Sequence, residues 1–417
     1  MACYGHAPSD STMATVSGTF AAAVGHHQSG ESHKMKKFVH IGIAKGGSTW
    51  LQRRLFPMHE QMLVLGRNYS VNVIDDDIRI ALWNDLIEAP EFLYDHAATA
   101  AHFHRHFEAA KRTRGIRACG VTHEVFTTSW IGDVDLAERA RRLAKIFGPE
   151  TEIVLVVRNQ LTTIGTLYCT MAREAGLIRT FEEFLFHFCY DRELSPFPDH
   201  LYDKLFETYA GLFGREHVHV IPFEILRRDP QEFADKICVA IGVDPIPVDC
   251  SRVNSTSTPR SMGAVLAVNR ILRYYLGGDR IARNMGKELK PLYTKRFGIA
   301  PPQEITENHK KHCACYEVGT NPAQADVLES RGLVLEPPVH TDLPDHYRDL
   351  LHDAYAPHNA RLQELSGLDL MQYDYPLPQT KSTESAVPCP KFISHKAGSS
   401  EPAGSEWITT ADSCDGD

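Results

Sequence analysis

The run KFVHIGIAKGGSTWLQRRLF, residues 37–56, places a glycine-bearing turn between a short apolar segment and a segment with helical character. Such a turn at the start of a helix is a common binding site for phosphate groups. Gly42 and Gly47 have the spacing of the glycines in the nucleoside-triphosphate loop G-x-x-x-x-G-K-[ST], and Ser48 follows them. The lysine, however, precedes the second glycine, as Lys45. The run therefore predicts either a loop for a phosphate-bearing ligand that is not an ordinary triphosphate, or a purely structural turn.

The composition is that of a soluble globular protein. Of 417 residues, 43% are apolar and 23% are charged. The net charge of −9 argues against a nucleic-acid-binding protein, because such proteins usually carry a basic surface. No stretch reaches the roughly 18 consecutive apolar residues of a membrane span. We therefore expect neither a nucleic-acid partner nor a membrane-spanning segment.

The ten cysteines are scattered along the chain, and a disulfide framework would be unusual at this length. The close pair Cys313 and Cys315 has no second pair to complete a zinc site. We expect no bound metal and a reducing compartment, so the predicted location is the cytoplasm. Few acidic residues precede Met35, which leaves an organellar transit peptide as the alternative for the first residues.

From Lys36 onward, strand-like runs alternate with longer amphipathic segments, which is typical of a parallel sheet covered by helices. The predicted strands are KFVHIGI, RACGVT, EIVLVV and HVHVIPF. The predicted helices are residues 135–147, 162–175, 200–213, 229–242, 264–276 and 345–365. Asp229 is the expected N-cap of its helix, with Pro230 in the first turn and Gly242 at the end. The pattern predicts an α/β fold with a central parallel sheet.

One domain, residues 36–376, is expected between a disordered leader and a disordered tail. The leader is residues 1–35, and the tail, residues 377–417, is rich in Ser, Pro, Thr and Gly. Within the domain, residues 277–342 contain many Gly, Pro, Lys and Asn residues. They predict a long irregular insertion, either a lid or part of an acceptor site.

A second strand runs directly into a helix in EIVLVVRNQLTTIGTLY, residues 152–168. Arg158 follows this strand, and Thr166 lies eight residues further on. Two strand–loop–helix units with cations at the strand ends favour a ligand in the crevice between them. Because arginine holds phosphate with a planar fork, the two units predict a nucleotide with phosphates at two separate positions.

These motifs resemble those of sulfotransferases that use 3′-phosphoadenosine-5′-phosphosulfate (PAPS). The family's loop for the 5′-phosphosulfate reads approximately P-K-x-G-T-T-W-L, and residues 44–51 are AKGGSTWL, with alanine for proline and serine for the first threonine. Its 3′-phosphate motif pairs a strand-end arginine with a hydroxyl residue eight positions later, matched here by Arg158 and Thr166. The resemblance covers roughly residues 37–265 and 340–376, and it is closer to bacterial-type members than to vertebrate cytosolic ones.

The resemblance implies a P-loop-containing three-layer sandwich, α/β, and a PAPS site. That site would contain Lys45, Gly46, Gly47, Ser48, Thr49, Trp50, Arg158 and Thr166. Lys45 would lie by the bridging oxygen of the phosphosulfate and stabilise the departing bisphosphate without a metal. Trp50 would stack on the adenine, or else pack in the core. The late R-K-G and G-x-x-G-x-W-K signature of cytosolic members is not evident, so Arg252 and Arg260 are candidates for the missing contacts.

The acceptor must lose a proton as the sulfuryl group arrives, and the run RACGVTHEVF places His123 and Glu124 at the end of a predicted strand. Neighbours on a strand point to opposite faces, so one of the two is expected to face the site. A free imidazole titrates near pH 6.5, whereas a glutamate needs burial to become a base near neutral pH. Family members place either residue type there. The flanking sequence favours Glu124, and His123 remains the alternative.

The acceptor site is expected from residues 66–110, the TTSW loop at Trp130 and residues 186–200. These segments carry histidines and aromatic side chains, among them Tyr69, His104, His187, Phe188 and Tyr190. They predict a modest aromatic pocket without the basic stripe that an anionic polysaccharide would need. We expect a small alcohol, phenol or amine as the acceptor.

The predicted function is in-line transfer of a sulfuryl group from PAPS to such an acceptor. A P-loop kinase that uses ATP is the first alternative. The position of Lys45 and the lack of a metal-holding aspartate after EIVLVV argue against it. A catalytically inactive nucleotide-binding scaffold of the same fold is the second alternative.

Overall fold

The computed structural model describes most of the predicted domain. The described residues are 34–65, 76–130, 134–192, 195–251, 258–276, 323–330 and 332–378. Most of the predicted leader and tail, and residues 277–322 of the predicted insertion, lie outside these ranges.

A sheet of five parallel strands forms the centre of the described structure. The strands are β1 Lys36–His40, β2 Met62–Leu65, β3 Ala118–Thr122, β4 Thr151–Val157 and β5 Val218–Pro222. Their order across the sheet is β2-β3-β1-β4-β5. The strand order therefore reverses at β1, which has β3 on one side and β4 on the other. In open α/β sheets, ligands bind at the carboxyl ends of the strands at this point.

Helices pack on both faces of the sheet. They are α1 Ser48–Trp50, α2 Asp76–Ile80, α3 His96–Arg112, α4 Leu136–Phe147, α5 Gln160–Ala175, α6 Phe181–Tyr190, α7 Tyr202–Phe213, α8 Phe223–Arg228, α9 Pro230–Ile241, α10 Pro259–Leu276, α11 Ala323–Ser330 and α12 Asp345–Ser366. Helix α1 continues as a π-helical turn, Leu51–Leu55, and a 3₁₀ turn, Phe56–Met58; α2 continues as the π-helical segment Ala81–Glu88. Within the described residues, no helix combines the length and apolar character that a membrane span requires.

The two faces of the sheet belong to two separate hydrophobic clusters. Along β4, Ile153 and Leu155 pack into the cluster with α3, α4 and α7, whereas Val154 and Val156 pack into the cluster with α9. All seven residues of this strand are buried, as expected of a parallel strand covered on both faces. The observed sheet and its two helical layers confirm the predicted α/β sandwich.

Helix α9 begins and ends as its sequence predicts. The Asp229 side chain accepts hydrogen bonds from the backbone N–H groups of Gln231 and Glu232, and Gly242 closes the helix in the left-handed conformation. The edge strand β2 was not predicted, because its four residues show no alternation that sets them apart from their surroundings.

The predicted irregular insertion needs one correction. Its last part contains helix α11, which buries Ala325 and Leu328 in the cluster that α10 forms. Apolar contacts with a neighbouring helix stabilise this element. It was not predicted, because the surrounding sequence is rich in Gly and Pro.

Glu152, at the start of β4, provides a pH-dependent contribution to stability. Its carboxylate accepts from His219 Nε2 at 2.8 Å and Lys36 Nζ at 2.7 Å, and it faces His217 Nδ1 at 3.3 Å. Burial alone would raise its pKa, but the hydrogen bonds from His219 and Lys36 outweigh burial and lower the pKa from 4.5 to about 2. A lowered pKa stabilises the fold above pH 4.5, and this stabilisation disappears as the pH falls toward about 2.

We therefore expect the wild type to lose its stability advantage over Glu152→Gln as the pH falls from 4.5 to about 2. Urea unfolding of both proteins at a series of pH values measures this difference. A difference in the free energy of unfolding that stays constant over this range would contradict the assignment.

Candidate active site

The loop between β1 and α1 is fastened to the neighbouring strand β4. The Ile41 N–H donates to the Val154 carbonyl at 2.9 Å. The Ile43 N–H donates to the Val156 carbonyl at 3.1 Å. Within the loop, the Gly46 N–H donates back to Ile43 at 2.9 Å and closes a tight turn. The loop is thereby held at the carboxyl ends of two adjacent strands.

Two residues of this loop have left-handed backbone conformations. Gly47 has φ 91°, and a Cβ there would lie 2.9 Å from Leu226 Cδ2, so only glycine fits without rearrangement. Lys45 has φ 66°, and among the described non-glycine residues it shares a positive φ with Asp374. A non-glycine residue in this region costs on the order of 1–3 kcal/mol, and such strain concentrates at functional sites. The strain at Lys45 therefore points to a functional constraint on the loop.

The start of α1 presents the hydrogen-bond donors that an anion needs. The first N–H groups of a helix have no intrahelical acceptor, and they carry a partial positive charge. Ser48 is the first residue of the helix and is only 5% exposed. Its Oγ is buried and has no hydrogen-bond partner among the described residues. Thr49, beside it, is half-buried.

Arg158 brings the second predicted motif into contact with the loop. It follows β4, and its Nη1 donates to the Lys45 carbonyl at 3.1 Å, across 113 residues of sequence. Its Nη2 donates to the Thr162 carbonyl at 3.0 Å, and its guanidinium lies over the Phe223 ring, 4.9 Å from the centroid. Burial lowers the pKa of Arg158, and the nearby Glu224 carboxylate opposes this change. The guanidinium is therefore held by three neighbours at the mouth of the loop.

Thr166 lies on α5, whose first turn is fixed by Asn159. The Asn159 side chain accepts from the Leu161 N–H as the helix N-cap. Thr162 and Thr166 are four residues apart, so they share one face of the helix. Arg158 contacts the Thr162 carbonyl, and the half-buried Thr166 lies one helical turn beyond Thr162.

The geometry of His123 restricts what its ring can do. Its Nδ1 accepts a hydrogen bond from the Val125 N–H at 3.1 Å, which caps the short 3₁₀ helix Glu124–Thr127. A nitrogen that accepts a hydrogen bond carries no proton, so the neutral ring has its proton on Nε2. Neither nitrogen then has a free lone pair, and the neutral ring can donate from Nε2 but cannot take up a proton there. This favours Glu124 over His123 as the base.

Glu124 follows the end of β3, which neighbours β1 in the sheet. Its carbonyl accepts hydrogen bonds from the hydroxyls of Thr127 and Thr128. The Thr127 hydroxyl also lies 3.0 Å from the Gly42 carbonyl, so its single proton is shared between the two carbonyls. This contact joins the turn that carries Glu124 to the predicted phosphate loop.

A buried arginine supports the same turn. Arg139, on α4, is fully buried and donates from Nη1 to the carbonyls of Val125 and Thr128. Asp199 supports the chain beyond it, because its Oδ2 accepts from the Ser129 N–H at 2.9 Å. Burial raises the pKa of Asp199 to about 7. Neither residue was predicted from the sequence, because a charged residue on a helix or turn is normally assigned to the surface.

Three other residues that were predicted to bind the nucleotide are not placed in the site. Trp50 is 6% exposed and packs edge-on against Phe233, with ring centroids 6.1 Å apart, so it occupies the core. Arg260 forms ion pairs with Asp326 at 2.6 Å and with Glu329 at 2.7 Å, so two carboxylates already engage its guanidinium. We leave both out of the proposed site. Arg252 lies outside the described residues.

Those predicted acceptor residues that lie in the described ranges do not share one pocket. His104 contacts the Ile146 carbonyl on α4, Phe188 is fully buried in the core, and Tyr190 is 62% exposed. His187 pairs with Asp191 at the surface. Tyr69 lies outside the described residues. The prediction is therefore corrected: helix α6 divides its residues between core and surface.

Two tryptophans that flank the strand-end turn are better placed to contact an acceptor near Glu124. Trp83 meets the His123 ring edge-on, with centroids 5.2 Å apart. Trp130 packs against two clusters, one of which also includes Ala44 of the loop. Its Nε1 is buried and has no hydrogen-bond partner in the described part of the chain. Trp130 was predicted as part of the acceptor site, whereas Trp83 was not singled out.

The described residues fit a phosphate-bearing nucleotide and give no sign of a metal centre. Within the described ranges, no group of three or more His, Cys, Asp or Glu side chains is placed to hold a metal ion. The fit to an anion rests on the buried Ser48 hydroxyl without a partner, the left-handed loop and the adjacent Arg158 guanidinium.

The solved structures that resemble the chain include two sulfotransferases. A sulfotransferase from Alicyclobacillus acidocaldarius is 21% identical, with a TM-score of 0.38, over 59% of this chain and 97% of that one. The sulfotransferase domain of the Synechococcus PCC 7002 olefin synthase is 12% identical, with a TM-score of 0.27, over 73% of this chain and 98% of that one.

Comparison of sequences gives a firmer result. No curated protein sequence matches the chain. A family model described as "Sulfotransferase family" matches residues 38–247, which is about half of the chain and includes both motifs and the strand-end turn. The chain therefore belongs to the sulfotransferase family.

Proposed function

We propose that this sulfotransferase uses PAPS as donor and transfers its sulfuryl group to a hydroxyl or amine of a small-molecule acceptor. The observation that carries the proposal is the contact between Arg158 and the Lys45 carbonyl at 3.1 Å. It joins a strained phosphate loop to a second cation at the neighbouring strand end. A donor with one phosphate at each end of its ribose matches two such positions, whereas a linear triphosphate has no group for the second.

PAPS supplies an activated sulfuryl group on its 5′-phosphate. In the proposed site, Ser48, Thr49 and the first N–H groups of α1 hold that phosphate. The Lys45 ammonium stabilises the negative charge that develops on the leaving phosphate oxygen. Arg158 and Thr166 hold the 3′-phosphate. These groups are fixed by the fold beforehand, so little reorganisation is needed during the reaction.

Glu124 is the proposed general base for the acceptor. Its carboxylate stands at the end of β3, next to the strand that carries the phosphate loop. His123 keeps its proton on Nε2 and serves as a donor. Trp83 and Trp130 give the acceptor side an aromatic surface, which suits an uncharged alcohol, phenol or amine.

An ATP-dependent kinase is the less suitable assignment. Strand β4 is followed by Arg158 and Asn159, so it offers no carboxylate at the position where triphosphate-binding loops hold Mg²⁺ through an aspartate. The direct test incubates the protein with PAPS, a chelator and a panel of simple phenols, alcohols and amines, and measures the released 3′,5′-bisphosphate by chromatography. Acceptor-dependent release supports the proposal. Phosphate transfer from ATP–Mg²⁺ to the same panel would contradict it.

Arg158→Ala should weaken binding of 3′-phosphoadenosine-5′-phosphate by about 10- to 100-fold, because a charge-assisted hydrogen bond contributes about 1.5–3 kcal/mol. Arg158→Lys should recover part of the affinity, since it keeps the charge but loses the planar fork. Isothermal titration calorimetry measures both variants.

Adenosine 5′-phosphate, which lacks the 3′-phosphate, is the matched control ligand. Its affinity should change much less in Arg158→Ala than that of the bisphosphate. An equal loss for both ligands would mean that Arg158 acts only by holding the Lys45 carbonyl, and it would contradict the 3′-phosphate assignment.

A further inference from the structure

Two buried polar atoms converge beneath the phosphate loop. His40 Nε2 and Ser48 Oγ each lack a hydrogen-bond partner among the described residues. His40 is 0% exposed and Ser48 is 5% exposed, so water does not readily satisfy either atom. Both lie within 2.9 Å of the point that a Cβ at Gly42 would occupy. The two atoms therefore border one small space beside Gly42, and they are not hydrogen-bonded to each other in the structure.

A chain of hydrogen bonds leads to Nδ1 of His40. Gln52 is 0% exposed, and its Nε2 donates to Thr122 Oγ1 at 3.3 Å and to the Thr122 carbonyl at 3.4 Å. The Thr122 hydroxyl lies 2.8 Å from His40 Nδ1. A hydroxyl can accept one hydrogen bond and donate another, so Thr122 can donate its proton to Nδ1 while it accepts from Gln52.

A neutral His40 ring that accepts at Nδ1 carries its proton on Nε2. Burial lowers the pKa of His40 to about 4, although the charge of Glu124 opposes the change. With Nδ1 accepting from Thr122, the proton of the neutral ring resides on Nε2. The chain of donors then runs from Gln52 through Thr122 to His40, whose Nε2 borders the same space as Ser48 Oγ.

We propose that His40 is a positioning residue: when the nucleotide binds, its Nε2–H donates to Ser48 Oγ, a bond that the structure does not contain, and thereby directs the Ser48 hydroxyl proton at a phosphate oxygen of the nucleotide. A hydroxyl that accepts from the ring on one side has its single proton free for an acceptor on the other. This inference rests on the proposed function, because it needs a phosphate group at the loop. It assigns the buried polar cluster a role that a merely structural histidine would not have.

The test uses two substitutions of His40, one that replaces the Nε2 hydrogen bond and one that replaces the Nδ1 hydrogen bond. In His40→Gln, the amide nitrogen takes the place of Nε2 and retains a donor for Ser48. In His40→Asn, the amide takes the place of Nδ1 and keeps only the side toward Thr122. Calorimetric titration with 3′-phosphoadenosine-5′-phosphate should show about a three- to tenfold weaker affinity for His40→Asn, whereas His40→Gln stays near the wild type.

The same pair is measured again in a Ser48→Ala background. If His40 acts through Ser48, His40→Asn has no further effect once the hydroxyl is removed. An equal effect of His40→Asn with and without Ser48 would overturn the inference. The inference would also be overturned if His40→Asn still weakened binding in the Ser48→Ala background but had no effect in a Glu124→Gln background. That result would show that His40 acts through the proposed base.

Thr122→Val provides an independent variant if His40→Asn does not fold. It removes the donor to Nδ1 with little change of shape, and it should weaken nucleotide binding only while Ser48 is present. Unchanged affinity in Thr122→Val would also overturn the inference. A wild type that does not bind the bisphosphate would refute the proposed function itself. If instead the wild type binds the bisphosphate and the His40 substitutions have no effect, only the inference about His40 fails.

Discussion

Lys45→Ala is expected to lower kcat for sulfuryl transfer by about 10²–10³-fold, the usual cost of removing one preorganised group that stabilises developing charge. In the proposed site, the ammonium acts on charge that appears on the leaving oxygen during transfer. Affinity for 3′-phosphoadenosine-5′-phosphate should change much less than kcat, because Ser48, Thr49 and the helix N–H groups remain. Steady-state kinetics with PAPS and calorimetry with the bisphosphate measure the two effects separately.

Alanine is an informative replacement because it keeps the Cβ. Residue 45 has φ 66°, so alanine retains the steric cost of the left-handed backbone that lysine already bears. Lys204→Ala is the matched control, since Lys204 is an exposed lysine that pairs with Glu207. It should leave kcat unchanged. Full transfer activity in Lys45→Ala would contradict the proposed mechanism.

Glu124→Gln is expected to lower kcat by about 10²–10⁴-fold, the usual contribution of a general base. Glutamine preserves the shape of the side chain but cannot take up the acceptor's proton. The comparison variant is His123→Asn. Asparagine is a good N-cap residue, so it can still accept from the Val125 N–H while removing the ring.

The two variants should therefore differ strongly in kcat. We expect less than about a tenfold loss for His123→Asn, which removes one neutral hydrogen-bond donor. Steady-state kinetics with a responsive acceptor and circular dichroism of both variants measure activity and folding. A larger loss in His123→Asn than in Glu124→Gln would reverse the assignment of the base.

The sequence predicted the parts of the fold and site that short-range patterns control. The continuous apolar run Thr151–Val157 is the pattern of a strand buried on both faces, and the structure shows such a strand. Asp229 and Gly242 marked the two ends of a helix because capping depends on a few neighbouring residues. The loop around Lys45 could be located for the same reason, since its glycines lie between a strand and a helix.

Long-range packing decided the remaining features. The contact of Arg158 with the Lys45 carbonyl spans 113 residues, and only the pairing of β1 with β4 creates it. The acceptor residues were mispredicted because His187, Phe188 and Tyr190 share one helix whose faces meet different surroundings. The inward positions of His40 and Gln52 follow from the sheet and from the irregular helix after the loop, and the local sequence does not indicate them.

The proposed PAPS dependence is tested most directly by calorimetric titration of the wild type, in the presence of a chelator, with 3′-phosphoadenosine-5′-phosphate. A separate titration uses ATP with Mg²⁺. The two ligands differ in the feature that the site is proposed to recognise, a phosphate on each side of the ribose. Our account predicts metal-independent binding of the bisphosphate at micromolar concentrations and much weaker binding of ATP–Mg²⁺. Preferential binding of ATP–Mg²⁺, or no binding of the bisphosphate, would contradict it.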